Sequence, residues 1–195
     1  MTAAAVPLWQ WVLLWAVLIG GITIILSTIL TGISPMPSSG TARRAVARAF
    51  PRDYSGTVLE AGCGWGGLAA ALARRCPGAR VIGYEVSPVP FAVAWLRALG
   101  HPNLTVRYGS FLRAPLGRAD AVVLYLCGPL AERLGARLKA EARPGTPVLS
   151  VTFSIKGWQP DRTEDTGDPQ CPWVHHYHVP ARDVRLGQSL DRTVG

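Results

Sequence analysis

The chain has 195 residues and a formal charge of +8, and Lys139 and Lys156 are its only lysines, so nearly all of the positive charge is arginine. That length holds one domain of ordinary size plus an appendage. Cys63, Cys76, Cys127 and Cys171 are scattered without C-x-x-C spacing. This argues against a metal centre, and the absence of zinc-finger spacing, of an aromatic RNA-binding strand pattern and of a long basic run argues against a nucleic-acid module.

Residues 1–42 carry no charged side chain, and Val6 to Leu30 are nearly all apolar. About 25 such residues span a hydrocarbon core with some tilt. Trp9, Trp11 and Trp15 cluster toward one end, as in an interfacial aromatic belt. A cleaved signal peptide would want a basic start and a shorter apolar core. Arg43, Arg44, Arg48 and Arg52 follow the span. The positive-inside rule then predicts a single-pass membrane protein with its bulk in the cytoplasm, where the four cysteines stay reduced. Beside a membrane anchor, anionic lipid headgroups suit the basic charge better than nucleic acid does, and an arginine-rich composition with no specific partner suits it equally.

Ser34-Pro35-Met36-Pro37-Ser38-Ser39-Gly40 reads as a linker. It divides an anchor, residues 1–33, from a domain over 34–183, with a polar tail at 184–195. Thr41 is placed to cap a helix running to Phe50. Ala42, Ala45, Val46, Ala49 and Phe50 fall on one face of that helix, with the arginines away from it.

The apolar run Thr57-Val58-Leu59, the turn Glu60-Ala61-Gly62-Cys63-Gly64-Trp65-Gly66-Gly67 and the stretch Leu68–Arg75 read as strand, glycine turn and helix. That order opens a nucleotide-cofactor site in an α/β sheet. Gly62, Gly64 and Gly67 also satisfy G-x-G-x-x-G, the pattern of NAD and FAD sites. Two acidic residues weigh against a dinucleotide. Glu60 ends the strand, where it can hold an ammonium group directly or through water. Glu85 ends the next strand-like run, Arg80–Tyr84, about 20 residues beyond the glycines, where a carboxylate accepts both ribose hydroxyl protons. This pattern resembles class I S-adenosylmethionine-dependent methyltransferases, whose cofactor has an ammonium and no phosphate. The resemblance implies S-adenosylmethionine contacts from Glu60, Ala61, Gly62, Cys63, Gly64 and Gly66, with Cys63 giving its backbone rather than its sulfur. It also implies contacts from Glu85 and Val86.

Further along, a helix is predicted over Val89–Leu99 with Pro88 and Pro90 in its first turn, a strand over 104–108, and a nearly continuous apolar strand over 121–126. A helix over Leu130–Ala142 and a strand over Pro147–Phe153 follow. The order β-α-β-α-β-β-α-β predicts an α/β fold, a doubly wound and mostly parallel sheet. Two late extended pieces, near Trp158–Arg162 and Trp173–Val179, fit a closing hairpin. Ligands lie at the carboxyl ends of such strands, which adds Ser110, Phe111 and Tyr125 to the rim. Phe111 fits either a cover on the adenine face or a core aromatic, and Tyr125 either the pocket wall or the core. His176 and His178 share one strand face while His175 faces away, a pattern for a half-exposed edge strand rather than a metal site.

Taken in order, the apolar segment, the Ser34–Ser38 linker, Leu59–Gly66, Gly83–Pro88 and Thr152-Phe153-Ser154-Ile155-Lys156-Gly157-Trp158 resemble bacterial relatives of small membrane-anchored mitochondrial protein-lysine methyltransferases. Those enzymes modify ATP synthase subunit c and the adenine nucleotide carrier. The resemblance implies a lysine of a membrane-associated protein as acceptor. Ser110 departs from the acidic residue that often meets the adenine amino group in the class. Leu124–Pro129 lacks the (Asn/Asp)-Pro-Pro-aromatic signature of many adenine and glutamine methyltransferases. No catalytic base is assigned. A lipid or isoprenoid methyltransferase and a non-catalytic cofactor-binding membrane protein are the alternative functions.

Overall fold

The computed structural model describes residues 7–31 and 39–181; the linker residues 34–38 and the tail lie outside them. Helix α1 covers Leu8–Thr31 and α2 covers Gly40–Arg48. The domain continues with β1 (Thr57–Ala61), α3 (Gly67–Arg75), β2 (Arg80–Glu85), α4 (Pro88–Ala98), β3 (Leu104–Tyr108), β4 (Ala121–Leu124), α5 (Gly128–Glu141), β5 (Pro147–Val151), β6 (Arg162–Asp165) and β7 (Trp173–His178). Two 3-10 turns, Phe111–Arg113 and Leu116–Arg118, separate β3 from β4.

The seven strands order as β3-β2-β1-β4-β5-β7-β6, with β7 antiparallel to both of its neighbours and the other pairings parallel. The central strand β4, Ala-Val-Val-Leu, is fully buried, as a parallel strand covered on both faces must be. Side chains alternate between two cores. Val58, Val81, Val123 and Val151 pack with Ala42, Ala45, Val46, Leu68, Leu72 and Ala94, so α2, α3 and α4 cover one face of the sheet. Leu59, Val122, Leu124 and Val148 pack with Leu134 and Leu138 of α5 on the other.

Three expectations change. Ser39, not Thr41, caps α2: it is extended, and its Oγ accepts the Ala42 N–H at 3.0 Å. The late hairpin forms from β6 and β7, with the first strand at 162–165. Trp158 instead packs edge-on against Tyr177. The histidine strand β7 is interior to the sheet and β6 is the edge. His178 pairs with Asp161 at 2.9 Å, His176 lies 3.7 Å from Glu164, and His175 meets Thr163 at 3.0 Å. Among the described residues no three His, Cys, Asp or Glu side chains group as a metal site.

α1 is the one described helix long and apolar enough to cross a bilayer, and the apolar window Leu8–Leu26 is unburied by the rest of the chain. At 1.5 Å rise per residue it is about 36 Å long.

Candidate cofactor and acceptor site

The site is built where β1 and β2 end side by side, Glu60 lying opposite Gly83 in the parallel register. The turn after β1 closes on itself and on β2: Cys63 N–H donates to the Tyr84 carbonyl and Gly66 N–H to the Cys63 carbonyl, both at 2.8 Å. Gly64 and Gly66 take left-handed φ values of 51° and 75°. A Cβ on Gly66 would sit 2.8 Å from the Ala94 methyl, so this glycine lets α4 approach. A Cβ on Gly64 would meet no protein atom within 4 Å, the condition for close ligand approach at the backbone. Gly66 then caps α3, with no side-chain cap, and the first turn of α3 aims its Ala69 N–H at Glu60.

Glu85 is buried, and its carboxylate ties three backbone donors: Gly64 N–H at 2.8 Å on Oε2, and Val86 N–H at 3.0 Å and Ser87 N–H at 2.7 Å on Oε1. Glu60 is buried too, and its Oε2 has no hydrogen-bond partner. Burial, and secondarily the neighbouring Glu85, push the Glu60 carboxyl well above the ordinary range, offset in part by the Ala69 N–H of α3. Two adjacent carboxylates with one orphaned oxygen suit a ligand that brings a positive charge and donors. An S-adenosylmethionine ammonium fits that description; a pyrophosphate would add to the repulsion.

The thiol of Cys63 is buried in the space left by the missing Cβ of Gly83, which would otherwise stand 2.8 Å from Sγ. Burial, with Glu60 and Glu85 nearby, raises its pKa well above the ordinary thiol value, so it stays neutral and unreactive. Ala61 is buried and Val86 exposed at the rim. The Ser110 hydroxyl accepts the Leu112 N–H at 3.2 Å and caps the first 3-10 turn, and the Phe111 ring lies in the core beside Leu59, Ala61 and Tyr84.

At the ends of β4 and β5 the structure joins Tyr125, predicted for the rim, to Cys171 and Thr152, to which the sequence assigns no site role. The Tyr125 hydroxyl accepts the Cys171 S–H at 3.2 Å. Its pKa is pushed up to about 12, first by burial and then by Cys171, so the phenol stays protonated. Thr152 has φ 68°, a left-handed conformation that a β-branched residue adopts only under strain, and its buried Oγ1 faces the Tyr125 hydroxyl. The strain is held by Thr152 N–H to the Trp173 carbonyl at 2.7 Å and Phe153 N–H to the Val151 carbonyl at 2.8 Å. The sequence places Thr152 within the predicted strand 147–153 and at the head of the Thr152–Trp158 motif, but β5 ends at Val151 and Thr152 turns out of it.

The family model described as the ANTKMT methyltransferase domain matches residues 60–162, from the Glu60 turn through the start of β6. The chain belongs to the ANTKMT methyltransferase domain family. A relative from Saccharolobus islandicus (strain REY15A), described as a protein-lysine N-methyltransferase, is 28% identical over 106 residues. That alignment covers 53% of this chain and 66% of the relative, a little under two thirds of its length. Among solved structures, an RNA methyltransferase from Salinibacter ruber in complex with S-adenosyl-L-homocysteine superposes with a TM-score of 0.67 at 26% identity, covering 76% of this chain and 96% of that one. An S-adenosylmethionine-dependent methyltransferase from Aquifex aeolicus shares the fold at a TM-score of 0.56 and 18% identity, over 70% of this chain and 89% of its own. This ANTKMT-type domain is a class I methyltransferase whose cofactor is S-adenosylmethionine.

Proposed function

We propose that this protein is a membrane-tethered methyltransferase acting on a lysine side chain of a protein at or in the bilayer. When bound, S-adenosylmethionine supplies an electrophilic methyl on a sulfonium. Glu60 and Glu85 hold its ammonium and ribose ends at the tips of β1 and β2, with the Ala61–Gly66 turn and Val86 along its length. Ser110 stands at the β3 end of the same rim, with the Phe111 ring in the core behind it.

The observation that carries the lysine reading is the acceptor rim of Tyr125, Cys171 and Thr152. It presents the half-buried Tyr125 phenol, fixed in its neutral form and backed by the buried Cys171 thiol and Thr152 hydroxyl. Such a wall aligns an amine and disfavours its ammonium form by desolvation, so a lysine reaches the site as a nucleophile without a dedicated base. The S. islandicus relative, described as a protein-lysine N-methyltransferase, supports the same acceptor.

The division into an anchor at 1–33, a catalytic domain at 34–183 and a tail at 184–195 belongs to this reading. So does a cytoplasmic domain, argued from Arg43, Arg44, Arg48 and Arg52 just after α1. Tethering raises the local concentration of membrane-embedded acceptors. The test is transfer of radiolabelled methyl to a membrane fraction, followed by solvent partition and acid hydrolysis. Label recovered as methyl-lysine is the expected result. Label in the organic phase means a lipid or isoprenoid acceptor, and label in RNA an acceptor like that of the S. ruber protein. Cofactor binding with no transfer to any fraction means a non-catalytic role.

A further inference from the structure

Methyl transfer leaves unused a cleft on the α2–α3 side of the sheet. Its volume is about 420 Å³, and Arg43, Arg44, Arg52, Arg74 and Arg75 line it. Arg43, Arg44 and Ala47 share one face of α2; Ala71, Arg74 and Arg75 share one face of α3. The helices lie side by side with small residues between them, so five guanidinium groups converge rather than scatter. Among the described residues none of the five forms an ion pair with a carboxylate. Their hydrogen bonds are to neutral groups. Arg43 Nε donates to the Ser39 carbonyl at 3.2 Å, Arg44 Nη2 to Thr41 Oγ1 at 3.4 Å, and Arg75 Nε to the Phe50 carbonyl at 3.2 Å; Arg74 Nη1 lies 3.3 Å from His101 Nε2. Most of each guanidinium fork stays available. Like charges gathered without a counter-charge repel, and an anion with several acceptor oxygens reverses that sign; the guanidinium fork matches phosphate in two-point contact.

The position of the cleft selects the source of the phosphate. Eight residues separate α1 from α2, so the cleft is leashed within about 30 Å of the end of the apolar helix. α1 also touches α4, on the sheet face that carries α2 and α3. α4 and its C-terminal cap turn Trp95, Leu96 and Leu99 outward, 48%, 60% and 68% exposed. An apolar stripe with a tryptophan beside a basic cleft is the composition of a surface that rests in the headgroup layer. The cleft lining holds no aromatic side chain on which a nucleobase would stack.

We propose that the α2–α3 cleft binds the phosphate of an anionic membrane lipid and so seats the domain on the bilayer that α1 enters. This rests on the tethered reading above. The test uses the full chain in detergent with equal phosphatidylglycerol and phosphatidylcholine of the same acyl length, and counts retained lipids by native mass spectrometry. The expected result is a preference for phosphatidylglycerol of at least about tenfold, since each arginine at a membrane surface is worth about fivefold. Arg44→Gln/Arg52→Gln/Arg74→Gln should abolish the preference while thermal midpoint and S-adenosylmethionine affinity stay unchanged. The single Arg74→Gln, the milder variant, should lower it several-fold. No preference in the wild-type chain, or a preference kept in the triple variant, overturns the proposal. Displacement of the lipid by millimolar inorganic phosphate assigns the cleft to a free anion, and displacement by a short single-stranded RNA assigns it to nucleic acid; either outcome also overturns it. Resistance to carbonate extraction reads the anchor separately, so failure of the tether and failure of the cleft are distinguishable.

Discussion

Glu85 reaches from the tip of β2 to accept the Gly64 N–H at 2.8 Å, fastening the turn that follows β1 to the neighbouring strand. The same carboxylate takes the Val86 and Ser87 N–H groups at the start of α4. One side chain therefore shapes both walls of the cofactor site, beyond any contact it makes with ribose.

Glu85→Ala should accordingly damage the ligand-free protein as well as the complex. Leaving three backbone donors without their carboxylate costs about 3 kcal/mol of folding stability, and cofactor affinity should fall about a hundredfold or more. Thermal unfolding with and without S-adenosylmethionine, together with calorimetric binding, separates the two losses. Weaker binding with unchanged ligand-free stability would show that the turn does not depend on this side chain.

Glu60 sets a pH dependence whose sign follows from its burial. Its folded pKa is raised, so its stabilising contribution is full below the ordinary carboxyl value of about 4.5 and is lost as pH rises through the folded value. Glu60→Gln should flatten that part of the ligand-free stability profile and raise stability at neutral pH. An ammonium ligand favours the charged carboxylate, so cofactor binding should strengthen over the same rise in pH and release a proton. Glu60→Gln should abolish that release, as read by calorimetry in buffers of different ionisation enthalpy.

Gly64 and Gly66 should respond differently to alanine although both have positive φ. Gly66→Ala drives a methyl against Ala94 and should cost about 3 kcal/mol of stability, combining backbone strain with overpacking. Gly64→Ala meets no protein atom and should cost about 1 to 2 kcal/mol, while cofactor affinity falls at least about tenfold. Chemical denaturation and binding isotherms on the two variants check this. Equal stability losses would mean that the turn has no open side at Gly64.

The strain at Thr152 gives a test of the acceptor rim. Thr152→Gly relieves the left-handed backbone and should leave stability unchanged or raised by up to about 1 kcal/mol, yet lower kcat. Tyr125→Phe removes the partner of Cys171 and should lower kcat with little change in cofactor affinity. Steady-state methyl transfer, with cofactor binding measured separately, reads both. Full activity in both variants would remove these residues from the acceptor wall.

The cofactor half of the site was legible in the sequence because its pieces are local. Glu60, the glycines and the start of α3 are consecutive, and Glu85 ends the next strand, so a repeating strand–turn–helix period places them. Even there the hydrogen-bond roles were hidden. That Glu85 accepts the Gly64 N–H of the turn, or that Cys63 fills the place of a missing Cβ at Gly83, depends on which strands are neighbours. The misjudged histidine strand has the same origin. Half-exposed alternation fits an edge, but β7 is covered by a short polar β6 whose pairing leaves no mark on the periodicity of β7.

By itself the amino-acid sequence determined the alternating α/β order, the apolar first helix and the acidic glycine turn. Each of these is a short-range pattern of side-chain type and backbone freedom. Only the tertiary structure decided that Tyr125, Thr152 and Cys171 meet, and that arginines of α2 and α3 converge on one cleft. Those residues are joined by sheet order and helix packing, long-range choices made by burial of the two cores.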